Sequence, residues 1–440
     1  MSSNAPLDVG IVGGGIAGLS AAIALKRGGH NVEIYEKRNF GQDAGITLAI
    51  APNAGKVYQK WGFDLQAECG GVEAFQVRHV DGASANVVWR DDWKEFPKIY
   101  GSKVIFLRHG DVHSGLLRLL DATEGLPAVV STEIEVTGVN CEKGLIYMAD
   151  GSVVQKDLVV LANGLNGKFL KQITGEDCPL QDTGLSFFRY LIPNSDVLED
   201  SQTGPLFKDE PDEICFFPHF ASGASIVTYL CEGGKTRAVN VFAKRLPGEG
   251  GKRDRGAKIS RDELLSIANN FHPSIQAMLE KAPEDRIFSY PLMTRDPVQK
   301  YTNGRAVTIG DAAHVMKPQQ GQGASIAIES TGCLEILFNG IGKDQVQERL
   351  ALFEKLRLGR CGPVHVFSNM LIGPDGHRWM VEKVKPFWDE SRPLPPPGSR
   401  PLSLPFRNFI YGFNVVEDTE QALAAQQANG PVNGNGFAAH

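Results

Sequence analysis

Short apolar runs that stop at glycine or proline alternate along the chain with amphipathic stretches, and this pattern predicts a mixed α/β protein. Val9, Ile11 and Val12 form a buried-strand run ending at Gly13. Small apolar residues from Ile16 to Gly28 read as a helix, and Val32 to Tyr35 as a second strand. Pro52 and Asn53 open a helix that ends near Gly62. Alternation over 75–80 and 85–90 predicts strands that break at Asp91, Asp92 and Pro97. A strand then runs into a helix with Leu116, Leu117, Leu119 and Leu120 inward, and 128–148 reads as hairpin strands before a turn at Asp150-Gly151. Leu158 to Ala162 is a further buried strand, 184–243 is a long β-rich stretch, and 248–256 is an exposed loop. Ser260 caps a helix from Arg261 to Phe271, with Glu263 three positions on. Ala306 to Ile309 is a strand, a small-residue helix starts near Ala324, and helices dominate 345–370. The prolines of 392–405 impose extended backbone, and the low-complexity residues 425–440 read as a disordered tail.

With 440 residues, the chain is too long for one core and implies two or three domains. A net charge of −6 argues against nucleic-acid and anionic-membrane partners. The seven cysteines are scattered, odd in number and without a C-x-x-C pair, which points to free thiols in a reducing, cytoplasmic setting and to no metal site. Glycines interrupt the apolar N-terminal run and no basic region precedes it, so it is not read as a signal peptide. No apolar run reaches the roughly 18 residues of a membrane span.

Two stretches carry chemistry. Gly13, Gly15 and Gly18 fall in the G-x-G-x-x-G register between a strand and a helix, and Glu36 follows Gly18 by 18 positions at the end of the next strand. The glycines allow a tight bend and close approach of a pyrophosphate, the helix start offers free N–H groups, and the acid can accept from a ribose hydroxyl. These features specify a dinucleotide, without deciding between FAD and NAD. Much later, Gly310-Asp311-Ala312-Ala313-His314 follows a strand and precedes Pro318, Gly321 and Gly323. There a carboxylate can accept from sugar or ribityl hydroxyls, and a helix N-terminus can stabilise negative charge.

Taken together, the motifs resemble those of the single-component FAD-dependent aromatic monooxygenases of the salicylate and para-hydroxybenzoate hydroxylase type, including fungal secondary-metabolism members. The resemblance spans roughly residues 8–370. It implies a discontinuous Rossmann-like FAD-binding domain (7–71, 101–183 and 289–370), a β-sheet substrate domain (72–100 and 184–288), a helical C-terminal extension (371–424) and the tail (425–440). On this resemblance the FAD-binding residues are Gly13, Gly15, Ile16, Ala17, Gly18, Glu36, Lys37, Gly45, Ile46, Arg108, Asn163, Gly164, Asp311, Pro318, Gly321, Gly323 and Ala324. Tyr290-Pro291-Leu292, Arg295, Pro297 and Gly304-Arg305 fit the approach to the second motif. Arg189 falls where many members carry an arginine facing the substrate, and His219 and Tyr229 are candidate proton carriers.

One motif departs from the family pattern. The usual A-D-G-x-x-S-x-x-R reads Ala162-Asn163-Gly164 with Gly167 for the serine and Leu170 for the arginine. Lys168 and Lys171 are the candidate substitutes for the lost cation, and reduction by the nicotinamide cofactor is what the departure bears on. The implied activity is insertion of one oxygen atom from O2, through a flavin C4a-hydroperoxide, into an electron-rich aromatic or olefinic small molecule, with NADPH or NADH as transient reductant. Two alternatives stay open: a flavin reductase or dehydrogenase without oxygen insertion, and a degenerate FAD-binding protein.

Overall fold

The computed structural model describes residues 5–41, 47–208, 213–245, 256–370, 375–388, 393–399 and 401–428. The predicted exposed loop, apart from Gly256, and residues 429–440 of the predicted tail lie outside them; residues 425–428 continue the helix Val415–Ala428.

A six-stranded sheet carries the first motif. Its order is Thr302–Asn303, Ala306–Thr308, Leu158–Leu161, Asp8–Val12, Asn31–Tyr35 and Ala128–Ser131. All neighbours are parallel except the first pair. Every residue of Leu158–Leu161 is buried, as expected of a strand covered on both faces. The helix Ile16–Arg27 packs against this sheet and against the helix Gly323–Leu337, and its Ala21, Ala22 and Ala24 are fully buried. The predicted 128–148 hairpin is corrected here. Ala128–Ser131 follows a helix and so returns parallel to Asn31–Tyr35, whereas Val136–Asn140, Leu145–Met148 and Val153–Gln155 form a separate antiparallel sheet.

An eight-stranded sheet stands beside it, in the order Ala257–Lys258, Phe288–Thr294, Gln181–Pro193, Thr236–Lys244, Ala224–Cys231, Glu213–His219, Gln76–Val80 and Val87–Asp92. Asp91 and Asp92 lie within the last strand, opposite Val77 and Gln76, instead of breaking it; an edge strand accepts charged residues. Pro97 sits in the first turn of a short helix, Phe96–Tyr100, where a missing N–H costs nothing. One face of this sheet, with Phe188, Tyr190, Val239, Val241 and Ile226, is covered by the helices Arg261–Ile267 and Pro273–Glu280. The first of these is capped by Ser260, which accepts from the Glu263 N–H at 3.2 Å. It ends at Ile267, short of the predicted Phe271, because Pro273 opens a second helix capped by His272. The opposite face turns Ile214, Tyr229 and Ala238 toward the core shared with the nucleotide-binding sheet.

Behind both sheets, the helix Gly323–Leu337 meets the long helix Val346–Asn369 through a buried charge cluster. Glu329 accepts from Arg357 at 3.0 Å and from Arg360 at 2.7 Å, with all three side chains within 1% of full burial. Arg360 also donates to the Phe409 and Ile410 carbonyls, and Lys56 to those of Tyr411, Gly412 and Phe413. These bonds fasten the C-terminal helices Leu404–Tyr411 and Val415–Ala428 to the body.

Candidate cofactor and substrate site

The C-terminal ends of the parallel strands bring together the residues that a dinucleotide requires. Gly13 follows its strand at φ 107°, and a Cβ there would lie 2.4 Å from the Ala162 carbonyl oxygen. A Cβ at Gly18 would lie 1.9 Å from the Gly13 carbonyl oxygen, so this helix reaches the turn only because the residue is glycine. Gly15 begins the helix with no side-chain cap and no acid in the first turn, which leaves its N–H groups and positive dipole end available to an anion. Ile16 is buried and Ala17 partly so. Glu36 is held toward the turn by the Gly14 N–H at 2.8 Å and the Arg38 N–H at 2.9 Å, while Lys37 is exposed at the strand end.

The second motif closes against the first. A Cβ at Gly310, which has φ 64°, would meet the Ala17 methyl at 2.9 Å. Asp311 is exposed at this junction, 3.9 Å from where a Cβ at Gly323 would sit. Pro318 starts the short turn leading to Gly321, at φ 62°, and the following helix begins at Gly323 and Ala324 with no side-chain cap and no acid in its first turn. His314, beside this loop, is fully buried. Burial, with His365 and Arg357 nearby, pushes its imidazole down to about 3, so it stays neutral.

Other residues singled out by sequence have mixed positions. Gly45 and Ile46 lie outside the described residues. Asn163 and Gly164 follow Leu158–Leu161 beside the glycine turn, with Gly164 at φ 75° and open space on its Cβ side. Arg108 ends the strand Ile105–Arg108 opposite Thr47, and its guanidinium is ion-paired with Glu232 and lies 4.0 Å from Asp111. It is therefore engaged by carboxylates rather than aimed only at a phosphate. Lys168 turns to Glu135 and the Val136 carbonyl, and Lys171 to Asp177, so neither replaces the missing cation of the departed motif.

Arg189 is buried and points to the face of the large sheet away from the covering helices, donating to Asn240 Oδ1 at 2.7 Å. Tyr229 lies on the same face, its hydroxyl 2.8 Å from Thr47 Oγ1 and its ring stacked on Phe106. His219 does not. The two-residue alternation of its strand puts it with Cys215 and Phe217 under the helices, where Ser222 binds Nδ1 at 2.8 Å and Phe271 packs on the ring. His219 is thus set apart from Arg189 and Tyr229 on the other face of the sheet.

Sequence reading missed His113, whose Nε2 lies 2.8 Å from the Gly14 carbonyl and steadies the glycine turn from the neighbouring helix. It also missed the chain Asn53–Gln322, at 2.9 Å, which ties the N-terminus of Pro52–Lys60 to the loop before Gly323. Gln322 stands between two motif glycines and was the only local signal of that link.

A family model for an NAD(P)-binding Rossmann-like domain matches residues 11–41, and one for an FAD-binding domain matches residues 231–338. The FAD-dependent monooxygenase phomE' of Diaporthe leptostromiformis is 27% identical over 92% of this chain and all of its own length. Over most of its length the chain is similar to FAD-dependent monooxygenases. Hispidin-3-hydroxylase of Neonothopanus nambi is 29% identical over 81% of this chain and 86% of the relative. Among solved structures, CtdE in complex with FAD and a substrate shares the fold, with a TM-score of 0.77 at 20% identity over 95% of this chain and 98% of that one. The match to the FAD-binding domain makes FAD the cofactor of this chain. The residues present fit it: Gly15 and Gly164 have open space on their Cβ side, and two helices start there without a side-chain cap or an acid in the first turn. Among the described residues no group of His, Cys, Asp or Glu is arranged to hold a metal ion, and no helix is long and apolar enough to cross a membrane. All seven cysteines are free thiols.

Proposed function

We propose that the protein inserts one oxygen atom of O2 into an electron-rich aromatic or olefinic small molecule, by hydroxylation or epoxidation, with NADPH or NADH as reductant. The observation that carries this reading is the chemistry of the large sheet's face away from the covering helices. Phe187 stands directly opposite Phe242 and Tyr290 on its two neighbours, with ring centroids 5.7 and 5.0 Å away. The Arg189 guanidinium lies 4.9 Å from the Phe187 ring and is oriented by Asn240. Stacked aromatic rings suit a flat substrate, and a desolvated cation among them suits one with a phenolate or carboxylate edge. In this reading segments 72–100 and 184–288 form the substrate side. The two uncapped helix starts, Glu36 and Asp311 hold and orient FAD, which when bound and reduced supplies the oxygen chemistry. Arg189 holds the substrate in its anionic form, the aromatic wall excludes water, and Tyr229 with Thr47 is the pair placed to move a proton.

The test is oxygen consumption by the purified holoenzyme with NADH or NADPH, with and without a panel of phenolic and indolic compounds. Uptake stimulated by an aromatic, with an oxygenated product, is the expected result. Substrate turnover without oxygen uptake supports a reductase or dehydrogenase instead, and no flavin reduction by either donor supports a degenerate binding protein. Once a substrate is found, Arg189→Met is expected to lower kcat/KM on the order of 100-fold, with FAD content unchanged. A variant within twofold of wild type would remove Arg189 from the mechanism.

A further inference from the structure

The departed motif leaves the loop Asn163–Gly167 without the serine and arginine that its pattern usually carries, and the structure puts another cation there. We propose that Arg295 is a positioning residue that fixes the loop Asn163–Gly167 against the loop Gly310–Ala312, and so sets the spacing of the two halves of the FAD cradle. The inference rests on the FAD assignment above.

Arg295 follows the strand Phe288–Thr294 and is 3% exposed. Its donors reach three backbone carbonyls from three separate segments: Nε to Cys178 at 2.8 Å, Nη1 to Ala312 at 3.3 Å and Nη2 to Leu165 at 3.4 Å. Two of those carbonyls belong to the two cofactor loops. Gly167 makes room for the guanidinium. A Cβ there would lie 2.9 Å from Nη2, 3.1 Å from Nη1 and 3.2 Å from the Ala312 oxygen. The family's serine at this position is therefore incompatible with Arg295 as placed. Leu170, in the family arginine's position, is buried in the main core and needs no polar partner. The cation that reaches this loop comes from the end of the strand Phe288–Thr294, and Gly167 leaves the space it occupies. Because all three acceptors are protein carbonyls, Arg295 acts on the cofactor through the loops rather than by contact.

Three variants of the full chain test this: R295M, R295K and G167S. G175S serves as a control, since Gly175 has φ 83° and open surroundings and carries the same left-handed strain without the guanidinium contact. FAD dissociation constants are measured by flavin fluorescence on the apoproteins, alongside apoprotein melting and the bound-flavin visible spectrum. R295M is expected to weaken FAD at least tenfold and to alter the spectrum, with R295K recovering part of the loss. G167S should shift both readouts in the same direction and G175S neither. In the R295M/G167S double variant, the second change should add little, because both act on one contact. R295M with FAD affinity within twofold of wild type and an unaltered spectrum overturns the proposal, as does additivity in the double variant. If R295M does not fold, G167S against G175S decides alone. Failure of the wild-type protein to bind FAD would instead overturn the cofactor assignment on which the proposal rests.

Discussion

Replacing Glu329 by leucine is expected to destabilise the protein by about 3–5 kcal/mol, the largest stability loss of any single substitution considered. Burial alone would raise the Glu329 carboxyl, yet Arg360 and Arg357 hold it below the ordinary carboxylate range. Those two guanidiniums are each 1% exposed and have no other acidic partner in the cluster. Removal of the carboxylate leaves two buried positive charges and strips Asn53 of its 2.6 Å acceptor. The cost of an uncompensated buried charge is paid directly in folding free energy. Thermal unfolding followed by circular dichroism should show a midpoint lower by several degrees, with Glu329→Gln intermediate because it keeps the hydrogen-bond acceptor. A leucine variant melting within a degree of wild type would show that the cluster carries little net energy.

Gly18→Ala is expected to abolish the yellow colour of the purified protein at ordinary FAD concentrations. Alanine is a better helix former than glycine by roughly 1 kcal/mol, so on local grounds the change should stabilise. The new methyl carbon would instead stand 1.9 Å from the Gly13 carbonyl oxygen, and the helix and turn must separate to admit it. Overpacking of this kind costs about 1–3 kcal/mol, and the strain falls on the turn that receives the pyrophosphate. FAD affinity should fall by roughly 10- to 100-fold, read from the ratio of flavin to protein absorbance after gel filtration. Retention of the wild-type ratio would mean that the turn relaxes freely.

These two predictions differ in how far sequence alone supported them. Gly18, Glu36 and Asp311 were legible because each works within a local unit, a strand, a turn and a helix start, whose spacing is written in adjacent residues. The same holds for Ser260, whose cap needs only Glu263 three positions on. Glu329 was not legible as a charge centre, since its meaning depends on Arg357 and Arg360 from another helix. Arg295 could be matched to a motif, but its three carbonyl partners come from Cys178, Leu165 and Ala312 and have no sequence signature. The face on which His219 lies was not legible for a different reason. One position of shift along a strand exchanges its faces, and the apolar residues around it did not reveal which face lay under the helices. The 128–148 segment was read as a hairpin because local alternation is blind to whether a strand's partner is its neighbour or one nearly a hundred residues earlier.

The strand order of the nucleotide-binding sheet has a consequence for biosynthesis. Val9 pairs with Leu158, and Val159 pairs with Ala306. During translation, the strand that leads into the glycine turn therefore gains its second neighbour only once residues 158–161 have been made, and that neighbour gains its own only at residues 306–308. Cofactor loading is consequently a late event, and chains released before roughly residue 337 lack the helix that completes the pocket. Flavin supply in the expressing cell then acts on the yield of completed protein, as a ligand that draws a slowly closing topology to its native state.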